Sequence, residues 1–123
     1  MAQERKGYFV SQNTLAYQLC LCSWLGDYLD VSTFLDIFRS TAGNNRTGWQ
    51  DRSYDALLEK AAQEMDPRER SAIMEEAESL LLRHLPIIPL YFRTTSNMIK
   101  PIWEGYYDNI QDVHHLKYIK RKQ

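Results

Sequence analysis

The spacing of apolar residues divides this chain into short extended runs and amphipathic helices. From Tyr17 to Ser23, YQLCLCS, apolar and polar residues alternate. Side chains two apart share one face of a strand, so the run predicts a buried strand. The next residues, WLGDYLD, break the alternation at Gly26 and Asp27. Asp30 or Ser32 can then N-cap a short helix with Phe34, Leu35 and Phe38 on one face, ending near Ser40. TAGNNRTG, from Thr41 to Gly48, is a loop by its Gly and Asn content.

A second helix is predicted from about Ser53, with Tyr54, Leu57, Leu58 and Ala61 spaced to share one face. Asp66 caps a third. Pro67 suits its first position, and Glu69 completes a capping-box pattern. Ile73, Met74, Ala77, Leu80 and Leu81 give that helix its apolar stripe, and Pro86 ends it. Ile87 to Arg93, IIPLYFR, reads as a buried strand, with Pro89 placing it at an edge or a strand start. Met98 and Ile99 resume an extended run before Pro101. The turn-rich KPIWEGYYDNIQD then leads to a last short strand, His115 to Ile119. Strands mixed with helices imply an α/β or α+β class.

Composition narrows the function classes. The 123 residues make one domain or a piece of one. With 44% hydrophobic and 25% charged residues the chain is a folded globular type. Aromatics at 12% suit a binding surface, but a large core uses the same residues, and the core reading comes first. A net charge of −1 and a pI near 6.3 give no reason to expect nucleic acid or an anionic membrane as partner. The basic KYIKRKQ reads as a solvated chain end. No run reaches the ~18 apolar residues of a membrane span. MAQERKGYFVSQNTLAYQL has no apolar core and no small-residue cleavage site, so it is not a signal peptide; taken alone the chain would stay in the cytoplasm.

Few residues suggest chemistry. Cys20 and Cys22 are the only cysteines. A disulfide between neighbours two apart is strained, and C-x-C offers a metal two ligands and no convincing others, so both read as small buried hydrophobes. No G-x-S-x-G elbow or phosphate-binding glycine loop is present, and no cofactor or metal set is expected. Asn45-Arg46-Thr47 is a formal glycosylation sequon. A glycosidase-like pair of Asp27 and Asp30 lacks any second catalytic feature. Asp30 is better explained as a cap, and Asp36 as an exposed helical charge. Asp27 stays open between a turn residue and a receiver for a cation, framed by Trp24 and Tyr28. The two central helices also leave room for a helical interaction module.

Six elements follow one another in order: W-x-G-D-Y-x-D-x-x-T-F-L (Trp24 to Leu35), G-N-N-x-T-G-W (Gly43 to Trp49), Y-D-x-L-L (Tyr54 to Leu58), D-P-x-x-R (Asp66 to Arg70), L-P-I-I-P-L-Y (Leu85 to Tyr91) and D-V-H-x-L-K-Y (Asp112 to Tyr118). Together they resemble the C-terminal region of the family 5 extracellular solute-binding proteins, the oligopeptide- and dipeptide-binding receptors of ABC transporters. The resemblance implies a two-lobed α/β receptor of the type II periplasmic-binding-protein class, only the C-terminal part of which is present. Residues 1–92 would belong to the C-terminal ligand-binding lobe, and 93–123 to a crossover segment returning to the other lobe.

What the resemblance implies for function is binding without catalysis. An oligopeptide or dipeptide would lie extended between the lobes and pass to permease subunits in the membrane. Asp27 would hold the ligand's N-terminal ammonium, Trp24 would flank the peptide backbone, and Leu25 would count among the contacts. Asn45 would touch ligand or brace its loop. Arg93 departs from the aromatic residues that relatives carry, and Val31 from their proline. The full-length receptor would be periplasmic or anchored at the cell envelope. The alternatives are the same fold binding a nickel chelate, a sugar or another small molecule, and a truncated piece without function.

Overall fold

A computed structural model describes residues 4–109 and 111–122. Two antiparallel helices organise it. Helix α1 (Arg5–Asn13) and the short α2 (Ser32–Leu35), continued by a 3-10 turn at Asp36–Phe38, precede α3 (Arg52–Gln63) and α4 (Pro67–His84). Strands β1 (Trp103–Glu104) and β2 (Lys120–Arg121) follow, pairing antiparallel with Trp103 opposite Arg121.

The α3–α4 pair forms where the apolar spacing predicts it. Asp51 caps α3, its carboxylate accepting from the Ser53 and Tyr54 N–H groups, so the helix starts at Arg52. Asp66 caps α4 by accepting from Arg68 and Glu69, and Pro67 opens the first turn. The capping box does not close. The Asp66 N–H goes to Glu64 Oε1 at 2.9 Å, which leaves Glu69 only its charge near the helix N-terminus. Leu85 ends α4 in the left-handed region at φ 52, and its N–H returns to the Leu81 carbonyl.

Between the two helices Tyr54, Leu58, Ala77 and Leu81 form one buried cluster, and Ala61, Ile73 and Met74 a second. Each large side chain buried there contributes ~1.5–3 kcal/mol. Tyr54, with no exposed surface, is the hinge of the core. Its hydroxyl donates to the Leu35 carbonyl at 2.8 Å, which ties α2 to the pair, and its ring meets Trp49 edge-on at 5.0 Å. Burial raises the phenol well above its ordinary range, so it stays a neutral donor.

The predicted strands are where the outcome differs. Tyr17–Ser23 forms no strand: the chain bends at Gln18 and Leu19, among the described residues the run has no ladder partner, and Leu19 and Leu21 are 84% and 70% exposed. Ile87–Arg93 opens in a bend and is likewise unpaired among the described residues, with Phe92 fully exposed. A period-two pattern requires a neighbouring strand and a covering layer, and neither run has one among the described residues. His115–Ile119 holds a 3-10 turn at Leu116–Tyr118, and pairing begins only at Lys120. Cys20 is half-buried and Cys22 exposed, not the two buried hydrophobes expected. Helix α1 had no predicted counterpart. It docks through polar bonds, with the Tyr8 hydroxyl donating to the Leu21 carbonyl at 2.9 Å.

Gly105 shapes the last hairpin. Its φ of 91 is open to glycine, and a Cβ there would run into the Tyr118 carbonyl oxygen. Among the described residues no helix is long and apolar enough to cross a membrane.

Candidate functional site

Asp27 sits just ahead of the α2 turn. Its N–H donates to Thr33 Oγ1 at 2.9 Å, and Thr33 is buried. Its carbonyl accepts from Gln111 Nε2 at 2.7 Å, across 84 residues of chain. The backbone is therefore fixed from both sides. The side chain is exposed, and among the described residues its carboxylate has no hydrogen-bond or ion-pair partner. It faces a shallow hollow of about 150 Å³ that also takes in Tyr28, Asp36, Gly43 and Asn44. A larger hollow of about 480 Å³ lies along α3 and α4, between Ser53, Lys60, Glu76 and Arg83. It shares no residue with the Asp27 hollow.

The other acids of this segment are committed to partners. Asp36 accepts from the Tyr28 hydroxyl at 2.6 Å and from Arg39 Nε at 2.7 Å, so it is more than an exposed helical charge. Burial, then the bond to Asp36, raises the Tyr28 phenol. The N-cap position of α2 is Val31, not the expected Asp30 or Ser32; Asp30 just ahead of it accepts the Ser32 N–H at 2.9 Å and receives Arg70 Nη2 from α4 at 2.7 Å. The Arg70 bond first, then the Ser32 N–H, holds the Asp30 carboxyl far below the usual range. Asp27 and Asp30 thus differ in kind: one is neutralised by a fixed cation, the other is open to receive one.

The remaining candidates divide by what their polar atoms do. Trp24 is half-buried, and its indole N–H is buried without an acceptor among the described residues. Such an unmet donor costs ~1–3 kcal/mol until an acceptor arrives. Leu25 is 46% exposed. Arg93 donates from Nη1 to Ser23 Oγ at 3.2 Å, which brings the end of the 87–93 run beside the residue before Trp24.

Asn45 is saturated. Its Nδ2 faces the carbonyls of Phe38 at 3.3 Å, Arg39 at 3.3 Å and Trp49 at 2.9 Å. Its Oδ1 takes the Thr47 N–H at 3.1 Å and hydroxyl at 2.7 Å. That is the bracing geometry, closing Arg39–Trp49 into one unit around the Asp27 hollow.

Comparison with known proteins places this geometry. No family model matches the chain. The periplasmic murein peptide-binding protein MppA of Escherichia coli K12 is 38% identical over 112 residues, 90% of this chain and 21% of its own length. In the solved structure of that protein the corresponding region superposes with a TM-score of 0.84, covering 97% of this chain and 24% of that one. The chain belongs to the family 5 solute-binding proteins. The dipeptide-binding protein DppE of Bacillus subtilis 168 is 40% identical over 85 residues, 69% of this chain and 16% of its own length. The probable deoxycholate-binding periplasmic protein YgiS of Escherichia coli K12 is 33% identical over 120 residues, 95% of this chain and 22% of its own length.

The chain therefore spans about a fifth of the length of the relatives it matches. Its fold is a part of the two-lobed type II binding-protein architecture, and its relatives are solute-binding proteins, not enzymes. The structure gives partners to three motif residues that had none in the sequence. Asp30 of the first element and Arg70 of D-P-x-x-R form an ion pair 40 residues apart. Trp49 of G-N-N-x-T-G-W donates its indole N–H to His84 Nδ1 at 3.2 Å, and Asp51 Oδ2 lies 3.5 Å from the same nitrogen. Thr33 and Gln111 are the residues that sequence reasoning missed. Thr33 sits in the first element and was readable only as a helix residue. Gln111 carries no local signal at all.

Proposed function

We propose that this chain is the portion of a peptide receptor that holds the ligand's N-terminus, with Asp27 as the carboxylate that takes the ammonium. The observation that supports it is the contrast at Asp27: a backbone held at both N–H and C=O, carrying an exposed carboxylate without a partner. Preorganisation of this kind lets a charge-assisted bond form without ordering the acceptor first. It also selects what all peptides share, whatever their side chains. Trp24 offers its unmet indole N–H to a peptide carbonyl alongside, and Leu25 supplies exposed apolar surface. Asn45 contributes by fixing the loop that walls the hollow. Arg93 stands across Ser23 with donors to spare for a ligand carboxylate.

In this reading residues 1–92 belong to one lobe and 93–123 cross back to the other. The cleft is completed by receptor segments outside this chain, and the loaded receptor delivers its peptide in the periplasm to ABC-transporter permease subunits. The names of MppA and DppE, a murein peptide-binding and a dipeptide-binding protein, favour a peptide ligand. The name of YgiS, a probable deoxycholate-binding protein, favours a second reading, in which the same fold takes a solute without an amino group.

The test is a chimera in which this chain replaces the matching portion of MppA, titrated calorimetrically with free and N-acetylated peptides. Free peptides are expected to bind, and acetylation or Asp27→Asn to cost ~2–5 kcal/mol. Equal affinity for free and acetylated peptides would overturn the role of Asp27. Binding of bile acids but no peptide would select the second reading.

A further inference from the structure

The turn that walls the Asp27 hollow carries a side chain that the fold does not use. Gly43 and Asn44 are the middle of this turn, which the Asn45 N–H closes on the Ala42 carbonyl at 3.0 Å. Asparagine is favoured in turns for two reasons: it tolerates the left-handed region, and its side chain bonds backbone groups nearby. Asn45 does the second, through Thr47 and the carbonyls it braces. Asn44 does neither. Its φ is not positive, and its exposed side chain has no hydrogen-bond partner among the described residues. Gly43 beside it is equally undemanded by the fold: its φ is not positive, and a Cβ there would meet nothing within 4 Å. Together they present open space and an unbonded amide at the hollow.

The other polar side chains at the hollow are committed. Asp36 has one oxygen on Arg39 Nε at 2.7 Å and the other on the Tyr28 hydroxyl at 2.6 Å. Thr33 Oγ1 accepts the Asp27 N–H. The Asp27 carboxylate and the Asn44 amide are the two left open to a ligand. A primary ammonium carries three N–H donors, and a donor left unmet in a closed cleft is costly. A second free carboxylate would meet one of them but leave the site with a charge that the cation does not cancel. An amide oxygen adds the bond without the charge.

We infer that Asn44 is a second ligand-binding residue of the hollow, its Oδ1 accepting from the same ammonium that Asp27 takes. The inference rests on the reading of Asp27 as the ammonium carboxylate and adds a selectivity to it. With two acceptors on one nitrogen, the site prefers a primary amine over an alkylated amine of the same charge. The two neighbouring asparagines then divide the work: Asn45 holds the turn, and Asn44 meets the ligand.

The test uses the same MppA chimera and three forms of one peptide: free, N,N-dimethylated and N-acetylated. Dimethylation keeps the positive charge and a single N–H, enough for Asp27 but not for Asn44 as well. The parent chimera should bind the free form at least ~10-fold more tightly than the dimethylated form, as one hydrogen bond to a charged group gives. Asn44→Ala should lose ~10-fold or more on the free peptide and no longer separate it from the dimethylated one. Asn44→Asp keeps the acceptor and should keep the preference. The urea midpoint of Asn44→Ala should match the parent's, in contrast to Asn45→Ala. A parent that binds free and acetylated peptide alike overturns the reading of Asp27 and this inference with it. A parent that rejects the acetylated form but takes the free and dimethylated forms equally overturns the role of Asn44 alone. So does an Asn44→Ala chimera that discriminates as the parent does, an Asn44→Asp chimera that loses the preference, or a lowered urea midpoint for Asn44→Ala.

Discussion

Replacing Asn45 with Ala removes the brace of the Arg39–Trp49 loop, and the structure sets the expected magnitude. Five contacts converge on one amide, but Nδ2 has two hydrogens shared among three carbonyls, two of them at 3.3 Å. Oδ1 accepts two bonds from Thr47. This amounts to four hydrogen bonds' worth, each ~0.5–1.5 kcal/mol net. Asn45 is only partly buried, so water recovers some of them. We expect Asn45→Ala to cost ~2–3 kcal/mol, read as a lower urea midpoint at unchanged m-value.

Asn45→Asp sharpens the test. It keeps the acceptor for Thr47 but turns a carboxylate toward three carbonyl oxygens, which raises its folded pKa above the unfolded ~3.9. A carboxyl raised on folding binds more protons in the native state, so it loses stability as pH rises. Asn45→Asp should therefore be worse than Asn45→Ala at pH 7, and should recover as the pH falls toward 4. A cost under ~0.5 kcal/mol for Asn45→Ala, or a pH-independent Asn45→Asp, would show that the amide does not brace the loop.

Four further outcomes follow from the same geometry. Asp30 is held low by Arg70, so its contribution is present above pH ~4 and lost as the pH falls through its folded pKa. Arg70→Met should flatten acid unfolding in that window, with a cost at pH 7 of only ~0–1 kcal/mol because the pair is partly exposed, the Asp30 side chain at 37%. Leu58→Ala should cost ~2–5 kcal/mol in thermal or urea unfolding, since the residue is 2% exposed in the α3–α4 core. Leu85→Gly should raise the melting temperature, because it relieves a left-handed leucine worth ~1 kcal/mol or more against the unfolded-state entropy of glycine. Gly105→Ala should abolish β1–β2 pairing, seen as loss of amide protection at Lys122, whose N–H donates to the Ile102 carbonyl.

The sequence by itself determined the local and the periodic. The spacing of Tyr54, Leu58 and Ala61 against Ile73, Met74, Ala77 and Leu81 defined the α3–α4 core, because a helical stripe needs only its own chain and one partner to bury it. Asp66, Pro67 and Pro86 marked the ends of α4 for equally local reasons. The order of six short motifs identified the receptor family, and with it the expectation for Asp27, before any contact was known. Helix α1 escaped because its face toward Cys20 is built from Tyr8 and Gln12 and lacks an apolar stripe.

Only the tertiary structure decided what each polar residue touches. Asp27, Asp30 and Asp36 lie within ten positions and look alike as letters. Arg70 arrives from 40 residues away, Gln111 from 84, and these two contacts leave one carboxylate neutralised and the other anchored but open. The runs at 17–23 and 87–93 carry strand patterns, yet a strand exists only as a pair. Their pairing depends on groups elsewhere in space, and no spacing within the runs could reveal it.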